Sequence, residues 1–180
     1  MSKNGLILLT PTSIAYTGTS ATISTNGSVL FSGITSLSFN GVFTNDYDNY
    51  LIIRRSQIDT DDFGYSFRLR ASGTDDTASN YVTQRLYASD TSYGGARYTS
   101  SKAYNGVGSN DQRDGQALYV YGPYLAQPTA WRQIHVGGYL NAYIDDFAGT
   151  HNQTTAYDGI TFYPDGNSMS GRVAIYGMRK

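Results

Sequence analysis

The chain has 180 residues and a mass of 19.7 kDa, enough for one domain with a sizeable core and too little for two ordinary ones. Its formal net charge is -1, all 14 acidic residues are Asp, and no segment carries a basic stripe, which excludes the electrostatic footprint of a nucleic-acid binder. There is no Cys, so neither a disulfide framework nor a thiolate metal site is available.

Composition also points to a fold class. Glu and Lys favour helices, whereas Thr and Tyr favour strands and Asp, Asn, Ser and Gly favour turns. A chain rich in the second group, with no Glu and three Lys, reads as all-β.

The chain opens with Met1-Ser2-Lys3-Asn4-Gly5, then the apolar run Leu6-Ile7-Leu8-Leu9 before Thr10-Pro11. A secretory apolar region takes roughly 7–15 residues and a membrane helix about 20, so neither is expected, nor is membrane insertion. Residues 1–34 carry short β-like runs at Leu6 to Leu9, Ala21 to Ser24 and Val29 to Ser32, with a turn signal at Asn26-Gly27. They are expected to be either the first strands of the domain or an extended docking arm, with residues 35–180 forming the main body.

Ser36 to Phe39 alternates and Asn40-Gly41 turns. The two strongest strands follow, at 50–58 and 64–72. In the second, Tyr65, Phe67, Leu69 and Ala71 point one way while Ser66, Arg68, Arg70 and Ser72 point the other, the two-residue period of a half-buried strand. Between them, Asp59-Thr60-Asp61-Asp62-Phe63-Gly64 reads as a hairpin connection, so these two strands are expected to pair.

Beyond the polar stretch Ser72 to Asn80, Tyr81 to Ser89 alternates with Val82, Leu86 and Ala88 on one face. Residues 90–115 predict a β ribbon with a long exposed loop over 106–115. Gln116 to Tyr124 and Trp131 to Tyr139 are the next strands, joined by a segment whose two prolines mark an edge or a connection. Gly159 to Pro164 is a short strand, and Met169 to Met178 alternates with Val173 and Ile175 opposite Arg172, Ala174 and Tyr176. About ten short strands, no amphipathic helix and no fixed repeat predict a two-sheet antiparallel β-sandwich, jelly-roll-like. Its core should hold Tyr50, Ile52, Phe67, Leu69, Val173 and Ile175.

Few residues suggest chemistry. His135 and His151 lie in different segments, with no nucleophile-elbow pattern and no third or fourth ligand at metal-site spacing. His135 reads as a strand residue on the face of Trp131 and Gln133, and His151 as a loop hydrogen-bonding group. The clusters Asp59/Asp61/Asp62, Asp75/Asp76, Asp111/Asp114 and Asp145/Asp146 lack the Glu-terminated loop of a calcium site and read as solvated turns. Paired carboxylates serve glycoside hydrolysis, but abundance of Asp is no constellation. The expectation is a protein that is not an enzyme, with no catalytic residue, metal or cofactor.

The 17 tyrosines on a Ser/Asn/Gly-rich background are the informative bias, because Tyr supplies large amphipathic contact area with few rotatable bonds. Tyr93, Tyr98, Tyr104 and Tyr124 are the candidate contact residues, stacking on a sugar ring or filling a protein pocket. The alternative for each is to fill a strand face.

Three stretches carry a resemblance: Phe43-Thr44-Asn45-Asp46-Tyr47-Asp48-Asn49-Tyr50, Phe67-Arg68-Leu69-Arg70-Ala71-Ser72-Gly73-Thr74-Asp75 and Ser170-Gly171-Arg172-Val173-Ala174-Ile175-Tyr176-Gly177. With Ser2-Lys3-Asn4-Gly5 and Gly122-Pro123-Tyr124-Leu125-Ala126-Gln127-Pro128-Thr129-Ala130, they resemble short virion structural proteins of tailed bacteriophages, especially marine cyanophages. The resemblance implies a virion component made in the host's bacterial cytoplasm, either a head decoration or cement protein or part of a tail or fibre. It implies capsid or tail proteins as partners, a homo-oligomer with a trimer as the expected state, and for a fibre a host surface glycan. It transfers no site residue.

Overall fold

In the computed structural model, which describes residues 5–60, 64–108, 114–137 and 143–180, the chain forms fourteen strands. They are β1 (Leu6–Leu9), β2 (Ser13–Ile23), β3 (Val29–Asn40), β4 (Tyr47–Ile58), β5 (Gly64–Ala71), β6 (Thr74–Asp75) and β7 (Tyr81–Ser89). The second half supplies β8 (Ser92–Ser100), β9 (Ala103–Val107), β10 (Asp114–Tyr121), β11 (Thr129–Gly137), β12 (Tyr143–His151), β13 (Gly159–Pro164) and β14 (Met169–Arg179). Among the described residues there is no helix, so the all-β class expected from composition holds.

Every pairing is antiparallel, and the strands join into one continuous sheet. Its order is β6-β5-β13-β3-β14-β4-β10-β11-β12-β7-β8, with β1 on β14, β2 on β3 and β9 on β5. The hinge of this sheet is β3. Residues 29–34 of β3 pair with β14 and residues 37–39 pair with β13, while β2 follows β3 along its length. The sheet therefore curls, and its β13-β5-β9 end lies over the inner face of β4-β10-β11-β12. Phe67 of β5 meets Trp131 of β11 edge-on at 5.4 Å, and the Arg54 guanidinium of β4 lies 3.9 Å from the centre of the Tyr65 ring of β5.

The space inside the curl is filled by alternation. Tyr50, Ile52, Phe67, Leu69, Val173 and Ile175 are all buried, as their strand parity predicts. Each such side chain contributes about 1.5–3 kcal/mol of hydrophobic stabilisation. The Tyr50 hydroxyl is satisfied as well, donating to the Thr44 carbonyl at 2.9 Å and accepting from the Thr44 amide at 2.7 Å. It thereby closes the turn that feeds β4. At Asn40-Gly41 the predicted turn forms, with Gly41 at φ 63°, a left-handed conformation that glycine adopts without a side-chain clash.

One expected pairing fails. Strands β4 and β5 do not pair: β4 lies between β14 and β10, and β5 lies between β13 and its partners β9 and β6. The two strands lie in different layers of the curl. Each is tied to the β13–β14 turn, the Asp59 amide donating to the Ser168 carbonyl at 2.9 Å and the Asp165 amide to the Gly64 carbonyl at 2.7 Å. In β7, the face of Val82, Leu86 and Ala88 is the outer one, while Tyr81 and Thr83 are buried. Alternation separates the two faces of a strand; it names neither the neighbour nor the face that is covered.

At the N-terminus β1 pairs with β14, β2 pairs with β3, and β3 runs through residue 34 without a break. The exposed loop expected over 106–115 begins beyond β9, and its residues 109–113 lie outside the described residues, as do 138 and 139 of the strand expected over 131–139.

Candidate functional site

The rows of paired residues that cross β4, β10, β11, β12 and β7 show how the site is built. Toward one end the inward row is apolar: Tyr50, Val120 and Trp131 stand side by side. Two rows further along, the inward residues are Arg54, Gln116, His135 and Asp145, and all four are buried. Asp114, Gln133 and Asn105 extend this polar interior and are likewise buried.

Its carboxylates are matched to cationic groups. Arg85 of β7 holds Asp145 with two hydrogen bonds, Nε to Oδ1 at 2.7 Å and a terminal nitrogen to Oδ2 at 3.2 Å. His135 sits between two carboxylates at ion-pair distance, Nε2 lying 3.8 Å from Asp114 Oδ2 and Nδ1 lying 3.7 Å from Asp145 Oδ2. Burial pulls the imidazole pKa down, but the carboxylates of Asp114 and Asp145 more than reverse this, leaving it above the ordinary 6.5. Arg54 is buried with its guanidinium against the rings of Tyr65 and Phe162, and burial lowers its pKa to about 10, so it stays charged at neutral pH. Asp114 and Asp145 are thus strand residues inside the sheet, not the solvated turns expected of them. Arg85 compensates the buried Asp145 carboxylate, which an isolated charge at that depth would not tolerate.

Over this interior lies a surface cleft of ≈ 230 Å³, at the seam where β7, β8 and β12 approach β9. It is lined by Tyr98, Tyr104, Phe147, Arg85, Asp165 and the backbone around Gly106. The rings of Tyr98 and Tyr104 pack with centroids 4.7 Å apart and planes at 44°. Asp165 Oδ1 accepts hydrogen bonds from Ser66 Oγ at 2.7 Å and from Lys102 Nζ, and Lys102 also lies 5.1 Å from the centre of the Tyr104 ring. Gly106 is the partition between cleft and interior: at φ 135° it carries no side chain, and a Cβ there would stand 2.7 Å from Gln116 Nε2. On the inner side, Gln133 Nε2 donates to the Asn105 carbonyl and ties β9 to β11.

Of the four tyrosines singled out from sequence, the structure brings Tyr98 and Tyr104 together and leaves the other two elsewhere. Tyr93 is on the same strand as Tyr98, but five residues away it faces outward, beside Ala88, and is 88% exposed. Tyr124 is exposed in the β10–β11 connection. Arg85, Lys102, Phe147 and Asp165 were not legible as site residues. The available signal was parity: Trp131, Gln133 and His135 share one face of β11, so a polar interior beside the seam follows once Trp131 is placed inside.

A second polar group closes the opposite end of the curl. His151 Nδ1 lies 3.3 Å from Tyr157 Oη, which donates to Asp76 Oδ2 at 2.8 Å, and His151 Nε2 is 3.2 Å from the same carboxylate oxygen. Burial lowers the His151 pKa below 6.5, with Asp76 acting against it. Asp75 pairs with Arg70 at 2.8 Å, so neither member of this Asp pair is a merely solvated turn residue. Among the described residues, no group of three or more His, Cys, Asp or Glu is placed to hold a metal ion. No helix among the described residues is long and apolar enough to cross a membrane.

No family model matches the chain, and no curated protein matches it. Among solved structures it is similar to a protein of unknown function from Shewanella oneidensis MR-1, at 9% identity and a TM-score of 0.25, over 97% of this chain and 79% of that one. A likeness at that level carries no argument about fold or function.

Proposed function

We propose that this protein is a non-enzymatic structural component on the exterior of a bacteriophage particle, in first place a head decoration or cement protein. It is made in the host cytoplasm and docks on capsid or tail proteins as a homo-oligomer, with a trimer as the expected state. The resemblance in the sequence motivates this reading. The curled sheet fits it when taken as a jelly-roll-like two-layer sandwich, an architecture that viral capsid domains use.

The observation that carries the proposal is the outer face of β11, β12, β7 and β8. Val136, Ile144, Ala88 and Tyr93 form one row across these four paired strands, and in the next row Ile134 and Leu86 flank Asp146, which pairs with Arg132. Leu86, Val136, Ile144 and Tyr93 each expose more than half of their surface. Exposed apolar side chains grouped in this way mark a contact surface. Beside it β8 is an edge strand, pairing with β7 alone among the described strands, and offers a free ladder for strand addition.

Labelling purified particles with an antibody to this protein tests the proposal, and label on the head is expected. A variant carrying Ile134→Asp and Val136→Asp should keep its β spectrum and fail to join particles. Absence of label from every part of the particle overturns the reading.

The cleft favours a second reading, a tail-fibre or receptor-binding protein acting as a carbohydrate-binding module. Label on the tail, rather than the head, selects it.

A further inference from the structure

We infer that the cleft between β8 and β9 is a binding site for one neutral pyranose ring, the terminal residue of a glycan. This deepens the receptor-binding reading and is independent of docking through the outer face.

Size sets the first bound. Sites for drug-sized ligands run to roughly 300–1,000 Å³, and the ≈ 230 Å³ here suits a single ring. Chemistry sets the second. Tyr98 and Tyr104 form an aromatic wall with Phe147 behind it, which the C–H face of a sugar covers by apolar contact. On the same cleft, Asp165 presents a carboxylate whose Oδ1 is held by Ser66 and Lys102. Its Oδ2 lies beside Gly64, 3.0 Å from where a Cβ would stand, so the missing side chain keeps that oxygen open to the cleft. A wholly apolar ligand would strip water from this carboxylate and give nothing back. Sugar hydroxyls donate to it, and the ring face covers the tyrosines at the same time.

Charge sets the third bound. Among the described residues, both cations at the cleft are already matched to carboxylates, Arg85 to Asp145 and Lys102 to Asp165, each with a contact of 2.7 Å or less. An anionic sugar would bring a further negative charge beside Asp165 with no uncommitted cation among those residues to meet it, so sialic and uronic acids are disfavoured. The Arg85 guanidinium is fixed on its buried carboxylate and the Tyr104 ring is backed by Lys102, so little ordering remains to be done on binding.

The test uses the full chain with tyrosine rings labelled with carbon-13. It is titrated separately with methyl glycosides of glucose, galactose, mannose and N-acetylglucosamine, and with glucuronate and sialic acid. At least one neutral glycoside should shift the ring signals of Tyr98 and Tyr104 while leaving those of Tyr93 and Tyr124 in place. Tyr98→Ala, Tyr104→Ala and Asp165→Asn should each weaken that binding by about tenfold or more, with an unchanged circular-dichroism spectrum. The ring shifts of the unmodified protein decide the matter even if a variant misfolds. The proposal is overturned if no neutral glycoside moves both rings, or if an acidic sugar binds more tightly than every neutral one. A silent cleft in a protein that still labels phage heads removes only the glycan site; ring shifts in a protein absent from particles remove only the virion reading.

Discussion

In β5 one face carries Tyr65, Phe67 and Leu69 into the apolar core, and the other carries Ser66, Arg68 and Arg70, of which Ser66 and Arg70 are also buried, bonded to Asp165 and Asp75. In β11 the sides are exchanged: Gln133 and His135 are fully enclosed, while Ile134 and Val136 are 44% and 58% exposed. Both strands alternate with the same period, so periodicity alone does not distinguish them. The difference lies in what each polar residue finds as a partner. In β11 and the strands beside it, the enclosed groups have counter-charges, Arg85 on Asp145 and two carboxylates about His135, and these permit a polar interior. On the outside, no described residue covers the row of Val136, Ile144, Ala88 and Tyr93, and a contact with another molecule would recover its hydrophobic stabilisation. A strand that reads inside-out is therefore evidence for a second surface.

The largest effect should come from breaking the enclosed charge pairing. Asp145→Ala removes the carboxylate that Arg85 holds and one of the two that flank His135, and is expected to cost about 3–5 kcal/mol in urea unfolding. Loss of less than about 1 kcal/mol would mean that the interior is wetter than its burial implies. Leu69→Ala, on the ordinary side of the comparison, should cost about 2–5 kcal/mol by the same measurement, through lost transfer energy and a residual cavity.

The two buried histidines give a pH test with opposite signs. His135 has its folded pKa raised above 6.5, so its contribution is fully present below that value and is lost progressively as pH rises through the raised folded value. His151 has its folded pKa lowered, so its contribution is present above 6.5 and is lost progressively as pH falls through the lowered folded value. Stability measured against pH should accordingly lose part of its alkaline decline in His135→Gln and part of its acid decline in His151→Gln. The same slope change in both variants would contradict the assignment.

The smallest effect belongs to the outer row. Ile134→Asp, made singly, should change folding stability by about 1 kcal/mol or less, the span of strand propensity, because its side chain leaves no core contact behind. A cost as large as that of Leu69→Ala would show that this face is covered within the monomer.

Much of the fold was open to reading in advance. The residues of β4, β5 and β14 that fill the core follow from two-residue alternation, because a pleated strand buries one side whatever its neighbour is. The turn at Asn40-Gly41 is a local matter of the same kind. The site was half legible. Tyr98 and Tyr104 stood out by residue type, but Arg85, Lys102, Phe147 and Asp165 are ordinary in their own segments and acquire meaning only through contacts up to 99 residues away in sequence, as in Ser66 with Asp165.

What the sequence by itself determined is the all-β class, the strand parity and the composition of each face, since these depend on a residue and its near neighbours. Tertiary structure decided that β4 and β5 lie in opposite layers rather than in a hairpin, that the aliphatic side of β11 faces outward, and that Tyr98 meets Tyr104 while Tyr93 does not. Those outcomes turn on the bend in β3 and on the pairing of buried charges across strands. Both are properties of long-range partners, and a periodic pattern carries no information about which partner a strand will take.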